Sequence, residues 1–207
     1  MHKLGVVLAL ATVALVAPAS GSAAKHRKPC QRPGTHTLAH NSLARVFERT
    51  GGPQAGYDTR LFGCLRATGK RVALSDASED VDTAQSYGHV RLARRFVAWS
   101  FEYTDNTCKA ACPPGYEPTT YAVDVRDLKR AKTRHASTSA RVTAVLVSRR
   151  GALVWSQDDA KLYALYGSKK PRLLDSGDYD EGSLALHGDK LTWTHAGAKR
   201  STTLERY

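Results

Sequence analysis

Pairs of basic residues recur along this chain in short polar stretches of the kind that form turns. Guanidinium and ammonium groups bind phosphate and carboxylate, so these pairs predict a surface for an anionic ligand. The ten candidate residues are Lys70, Arg71, Arg94, Arg95, Lys129, Arg130, Arg149, Arg150, Lys169 and Lys170. The whole chain of 207 residues has 31 Lys and Arg against 19 Asp and Glu, a formal net charge of +12. A basic chain of this kind favours anionic partners.

One acidic stretch offers a different chemistry. Asp175, Asp178, Asp180 and Glu181 lie within seven residues of each other, and several carboxylate oxygens are what Ca²⁺ prefers. Their spacing differs from that of a recognised calcium-binding loop, so the alternative is a solvated turn. No other metal and no cofactor is predicted from the sequence.

The histidines do not form a catalytic motif in the sequence. His36, His40, His89, His135, His187 and His195 are scattered, and neither Gly-x-Ser-x-Gly nor His-Glu-x-x-His occurs. His187 and His195 flank one expected hairpin, where they could approach each other. The sequence therefore favours a protein that binds over one that catalyses.

The first 24 residues have the composition of a secretory signal peptide. Basic His2 and Lys3 precede an apolar run over Leu4–Val16, and small residues follow Pro18 up to Ala24. As a helix this run would reach only about 20 Å, less than the roughly 30 Å hydrocarbon core of a bilayer. We therefore predict a secreted, extracellular protein with no transmembrane span, a basic N-terminal tail over 25–36 and a single domain over 37–207.

Export makes disulfides the expected state of the four cysteines. Cys108 and Cys112 lie in a stretch rich in turn residues, where a local bridge closes easily. That pairing leaves Cys30 with Cys64, although three connectivities are possible. A zinc site is the alternative, but no histidine stands at ligand spacing from these cysteines.

Three tryptophans end similar short sequence segments, and these segments indicate an internal repeat. Trp99, Trp155 and Trp193 each close a short apolar run that follows another apolar run and a polar turn. A fainter copy starts at Thr37. Each unit reads as four short strands, here A to D, rich in Val, Leu, Tyr and Trp, and the last unit lacks strand D. The sequence predicts an all-β fold, with the tryptophans in the core and an aromatic ligand cage as the alternative.

One of these copies resembles a known repeat. The stretch 147–155, followed by 162–165, is similar to the WD40-like β-propeller repeat of TolB-type periplasmic and secreted proteins. The family's turn is usually Ser-Pro-Asp-Gly; here Ser148 and Gly151 match, and Arg149-Arg150 replace Pro-Asp. The resemblance implies blades packed around an axis, often serving protein–protein contact, and it carries over no catalytic residue. About four blades are expected, in a closed ring or as an open curved array, whose free edge would allow an oligomer.

Blade geometry sorts the charges by loop class. A–B and C–D turns lie at one end of an up-and-down blade, and the basic pairs all fall in those turns. The B–C and D–A loops, at the other end, hold the acidic runs 76–82, 158–159 and 175–181. We therefore predict a basic face, an acidic face and a binding or scaffold module that contacts anionic cell-envelope material or a protein. Nucleic acid is disfavoured because basic and aromatic residues do not interleave. The alternative is an extracellular hydrolase with a site on the propeller axis.

Overall fold

The computed structural model describes residues 30–52, 55–107, 113, 115–116, 118–166 and 170–205. These residues form fifteen β-strands and no helix, so the all-β prediction is confirmed. In the same residues there is accordingly no helix long and apolar enough to cross a membrane. The predicted signal peptide, the tail residues 25–29, Cys108, Cys112 and Lys169 lie outside the described residues.

Every pairing between the strands is antiparallel, and consecutive strands are paired within each sheet. The strands are β1 Thr35–His40, β2 Ala44–Thr50, β3 Thr59–Leu65, β4 Arg71–Glu79, β5 Thr83–Ala93, β6 Phe96–Asp105, β7 Thr119–Asp127, β8 Lys132–Thr138, β9 Val142–Val147, β10 Leu153–Gln157, β11 Lys161–Leu165, β12 Arg172–Ser176, β13 Tyr179–His187, β14 Lys190–His195 and β15 Ala198–Thr203. Units 1 to 4 of the repeat correspond to β1–β4, β5–β8, β9–β12 and β13–β15.

The strands form three sheets where the repeat predicts four. Units 1 and 2 share one eight-stranded sheet, β9–β12 form the second and β13–β15 the third. The two units join because β4 and β5 are longer than expected and pair at Ser78 with Gln85 and at Glu79 with Ala84. A tight turn closes this hairpin: the Asp80 carboxylate accepts hydrogen bonds from the backbone amides of Asp82 and Thr83.

The last sheet ends on a free strand. Within the described residues β15 pairs with β14 on one side only, which confirms that unit 4 has no fourth strand there. The three sheets are not closed into a ring. An unpaired edge of this kind exposes backbone amides and carbonyls, so association through it stays a prediction.

The apolar core consists of layers between successive units. Trp99 packs in a cluster that contains Val46 and Leu61 of unit 1 and Val97 of unit 2. Trp155 packs in a cluster shared by units 2 and 3. Trp193 belongs to the cluster shared by units 3 and 4. The three indoles are only 2%, 2% and 5% exposed, so their predicted core position is confirmed and the aromatic cage is wrong.

The N-terminal segment is tied to the first unit by a disulfide. Cys30 and Cys64 are bonded, with their Cα atoms 5.8 Å apart, which confirms this predicted pair and excludes these two sulfurs as zinc ligands. Arg45 strengthens the attachment because its Nη1 donates to the Cys30 carbonyl oxygen at 2.7 Å. The described part of the predicted tail is therefore attached at Cys30 to β2 and β3.

Basic residues interrupt the predicted acidic face. Asp76 and Glu79 lie within β4, and Asp175 lies within β12, so their carboxylates belong to strands and not to loops. Basic residues stand among the acidic ones at this end: Arg141 Nε lies 3.9 Å from Glu102, and Lys161 Nζ lies 2.6 Å from Asp159. The end that holds the B–C and D–A loops therefore carries mixed charge.

Candidate anion-binding surface

The first turn of every repeat unit converges on one depression. Its volume is about 690 Å³, and all four A–B turns contribute to its lining. The lining includes the turn residues 41–43, Arg94, Arg149 and 187–188. Four turns that are far apart in sequence therefore meet at one place. Among its described lining residues the depression holds one histidine, His187, and no carboxylate.

A second depression adjoins the first and is strongly basic. Its volume is about 360 Å³, and it shares Leu43, Arg94 and Arg149 with the larger one. The five arginines that line it, Arg94, Arg95, Arg130, Arg149 and Arg150, are called the arginine surface below. They come from the A–B turns of units 2 and 3 and the C–D turn of unit 2. Five of the ten predicted binding residues are therefore brought together.

The two residues that match the family turn shape the loop that carries Arg149 and Arg150. The Ser148 hydroxyl, which is buried, accepts hydrogen bonds from the backbone amides of Arg150 and Ala152, both at 3.1 Å. Gly151 has a φ of 85°, a left-handed conformation that favours glycine, and a Cβ there would lie 2.7 Å from the Phe96 ring. The two arginines are thus presented at the tip of a tightly fixed turn.

A buried carboxylate fixes two of the five arginines. Asp127 is fully buried at the end of β7, and its Oδ1 accepts a hydrogen bond from Arg95 Nε at 2.8 Å. The same oxygen accepts the backbone amides of Lys129 and Arg130, and Arg130 Nε lies 3.9 Å from Oδ2. The Asp127 side chain therefore holds both the C–D turn and the Arg95 guanidinium in place.

The remaining arginines differ in their partners. Arg150 Nε lies 2.9 Å from Asp189 in the A–B turn of unit 4. Within the described part of the chain, Arg94 and Arg149 are exposed and have no acidic partner. These two guanidinium groups keep their hydrogen-bonding capacity for a ligand, whereas the other three are positioned by carboxylates.

Replacing Asp127 with alanine should release this arrangement. The loss of the Arg95 pair and of two turn hydrogen bonds should lower the free energy of unfolding by about 1 to 3 kcal/mol. Urea denaturation followed by circular dichroism measures this loss. Asp159→Ala is the matched control because its carboxylate is partly exposed and, among the described residues, pairs only with Lys161, so we expect a loss of less than about 1 kcal/mol. Equal losses for both variants would contradict the structural role of Asp127.

The other predicted binding residues lie elsewhere. Lys129 is exposed in the same turn as Arg130 but does not line either depression, and Lys70 and Lys170 are exposed in other C–D turns. Arg71 is the first residue of β4 and lines a separate, smaller pocket. These four predicted residues therefore line neither of the two depressions at the turns.

The calcium candidates are not gathered into a site. Asp175 is buried and accepts a short hydrogen bond from Trp193 Nε1, while Glu181 accepts one from the Ser156 hydroxyl at 2.9 Å. Burial acts to raise the pKa of Asp175, but the bonds from Trp193 and Ser176, with the charge of Arg200, hold that pKa below its usual value. In the described residues no three His, Cys, Asp or Glu side chains are placed to hold a metal ion.

The histidines are also separated. His187 and His195 lie at opposite ends of the β13–β14 hairpin, because His187 pairs with Lys190 and His195 pairs with Tyr179. The two imidazoles therefore do not approach each other. His195 Nδ1 instead lies 3.0 Å from the buried Asp175.

One histidine does have partners of a catalytic type, which the sequence did not indicate. His135 Nδ1 lies 3.1 Å from Asp124, and its Nε2 lies 3.3 Å from the Ser137 hydroxyl. The β7–β8 register places Asp124 opposite His135, and Ser137 follows on the same face of β8. None of the three lines the two depressions at the turns.

The comparisons with known proteins leave the family open. No protein-family model matches the chain, and no curated protein matches it in sequence. A solved structure that it resembles is the crystal structure of HIRA(644-1017), with 16% identity and a TM-score of 0.27. The match covers 69% of this chain and 56% of that chain, so this chain spans little more than half of it. At that TM-score the likeness indicates neither a shared fold nor a shared function.

Proposed function

We propose that this protein is a secreted binding module whose arginine surface holds an anionic polymer of the cell envelope. The observation that carries the proposal is the depression of about 360 Å³ lined by five arginines from three separate turns. Arginine presents a planar fork of donors that matches phosphate and carboxylate groups. A polymer with regularly spaced anionic groups can engage several such forks at once.

The division of the arginines supports binding over a purely structural role. Arg95, Arg130 and Arg150 are held by Asp127 and Asp189. A preorganised positive charge of this kind loses little freedom when a ligand binds. Arg94 and Arg149 have no acidic partner in the described chain and would make the direct ionic contacts.

A propeller-like arrangement of the four units is part of the proposal. Two observations support it: the apolar layers lie between successive units, and the four A–B turns converge on one depression. The third sheet lacks a fourth strand in the described residues. We therefore propose an open array in which the larger depression marks the axis.

Among the residues that the structure describes, the disulfide is the one feature that supports secretion. A bond between Cys30 and Cys64 is expected in an oxidising compartment. The signal-peptide pattern of residues 1–24 points the same way. The extracellular hydrolase with a site on the axis, and a protein partner in place of a polymer, stay as alternatives.

Calorimetric titration with inorganic polyphosphate tests the proposed function. We expect binding that weakens steeply between about 50 and 200 mM NaCl, because counterions are released when phosphates are neutralised. The double variant Arg94→Gln, Arg149→Gln should weaken binding by about tenfold or more and reduce the salt dependence by about two counterions.

The matched control removes the same charge from another place. Lys132 and Lys199 are exposed on β8 and β15 and line neither depression. The double variant Lys132→Gln, Lys199→Gln should therefore leave most of the affinity intact. If both double variants weaken binding equally, net charge and not the arginine surface is responsible. If polyphosphate does not bind the unmodified protein, the proposal is overturned.

A further inference from the structure

A second group of arginines lies on the outer face of unit 1. The strand register sets Phe47 opposite Phe62, and it sets Cys64 opposite both Arg45 and Arg71. The alternate residues of these strands point the other way, into the cluster that contains Trp99. One face of unit 1 therefore packs against unit 2, and the other combines phenyl rings with guanidinium groups.

This outer face and the N-terminal segment enclose a pocket of about 160 Å³. Phe47 and Phe62 line it and stack on each other, with their centroids 5.5 Å apart and their planes 18° apart. Arg32, Arg49 and Arg71 also line it. The pocket thus combines a flat apolar wall with three cationic groups.

The charge around this pocket is not compensated. Arg32, Arg49 and Arg71 are exposed, and none has an acidic partner among the residues that the structure describes. Arg45 lies buried beside them, 4.6 Å from the Phe47 ring centroid, and it donates to the Thr37 hydroxyl and to the Cys30 carbonyl. Four positive charges therefore surround two phenyl rings.

The disulfide fixes one wall of the pocket. Arg32 and Pro33 follow two and three residues after Cys30, whose bond to Cys64 holds this segment on β3. The hydrogen bond from Arg45 to the Cys30 carbonyl adds a second attachment. The position of Arg32 relative to Arg49 and Arg71 thus depends on an intact bridge.

We propose that this pocket binds an aromatic ring that carries a carboxylate or phosphate group. The anionic group would bind the guanidinium groups, which match both oxyanions in a bidentate manner, and the ring would pack against Phe62, which is partly exposed. A bare anion leaves the partly exposed Phe62 ring in contact with water, and an uncharged ring leaves the arginines unpaired. The site is separate from the arginine surface and does not depend on its function.

Calorimetry of the full, oxidised chain with four probes tests the ligand class. Benzoate and phenyl phosphate combine ring and charge, inorganic phosphate has the charge alone, and benzyl alcohol has the ring alone. We expect at least one aromatic anion to bind about tenfold or more tightly than both inorganic phosphate and benzyl alcohol. The tighter of the two aromatic anions identifies the anionic group as carboxylate or phosphate. If neither aromatic anion exceeds both reference probes, the proposal is overturned.

Substitutions locate the binding in this pocket. Arg71→Gln and Arg32→Gln should each weaken the binding of the tighter aromatic anion by about tenfold. Phe62→Leu should reduce the ratio of its affinity to that of inorganic phosphate. Lys70→Gln removes the neighbouring charge outside the pocket, and Lys199→Gln removes an exposed charge on β15. Both should leave the affinity unchanged. Unchanged affinity in both Arg71→Gln and Arg32→Gln, with folding verified by circular dichroism, would overturn the assignment.

Discussion

Replacing Trp155 with alanine should lower the free energy of unfolding by about 3 to 5 kcal/mol. The indole is 2% exposed in the cluster shared by units 2 and 3, and it stacks on Tyr163 with the ring centroids 5.4 Å apart. Alanine would remove these contacts and leave a cavity between two sheets that are held together mainly by apolar packing. Guanidinium denaturation followed by circular dichroism measures the loss.

Trp155→Phe is the matched control for this substitution. Within the described chain the buried Nε1 of Trp155 has no hydrogen-bond partner, so phenylalanine keeps most of the apolar contacts and removes an unpaired donor. We expect a loss below about 1.5 kcal/mol. Trp193→Phe should cost more, because its Nε1 donates to the buried Asp175. If Trp155→Ala and Trp155→Phe have equal effects, packing between units 2 and 3 does not stabilise the fold.

The repeat could be predicted because each strand is short and ends at a polar turn. Ser148 and Gly151 show why: a buried hydroxyl caps the turn, and a positive φ favours glycine, so local chemistry fixes the ends of β9 and β10. The burial of Trp155 follows from the same local pattern. These features depend on neighbours in sequence, which the sequence shows directly.

The grouping of the strands into sheets could not be predicted in the same way. β4 and β5 extend past the last apolar residues of their runs, and their polar ends pair around Asp80. Nothing in the apolar pattern distinguishes such an extension from a loop. The prediction that units 1 and 2 form separate sheets was therefore wrong, because the strand ends that join them lack the alternation of apolar residues.

The arginine surface could be predicted in part. Arg94 and Arg149 lie where the loop classes place them, but Arg71 is already inside β4, so strand register and not turn position directs it to the outer face. Nothing in the sequence pattern distinguishes Asp127 and Asp189, the carboxylates that fix the surface, from other turn residues. Their roles depend on which turns meet, and turns far apart in sequence meet only in the folded chain.

Removing the Cys30–Cys64 bridge should produce the second large loss of stability. The bond closes a loop with a sequence separation of 34, for which the chain-entropy relation gives about 4 kcal/mol. We expect the double variant Cys30→Ala, Cys64→Ala to lose about that much in urea denaturation. Both cysteines are buried, and alanine fills less volume than the sulfur pair, so packing adds to the entropic effect.

The control for this prediction is the double variant Cys108→Ala, Cys112→Ala, whose predicted bridge would close a loop of only a few residues. The same relation gives about 2 kcal/mol for so short a loop. The larger loss should also be accompanied by exposure of Phe47, which is 1% exposed beside the bridge, and by loss of the Arg45 contact to Cys30. Faster hydrogen exchange of the backbone amides between residues 30 and 36 in the Cys30→Ala, Cys64→Ala variant alone would report that release. Equal stability losses with no change in hydrogen exchange would contradict an anchoring role, and Arg32 could then no longer be taken as a fixed wall of the aromatic-anion pocket.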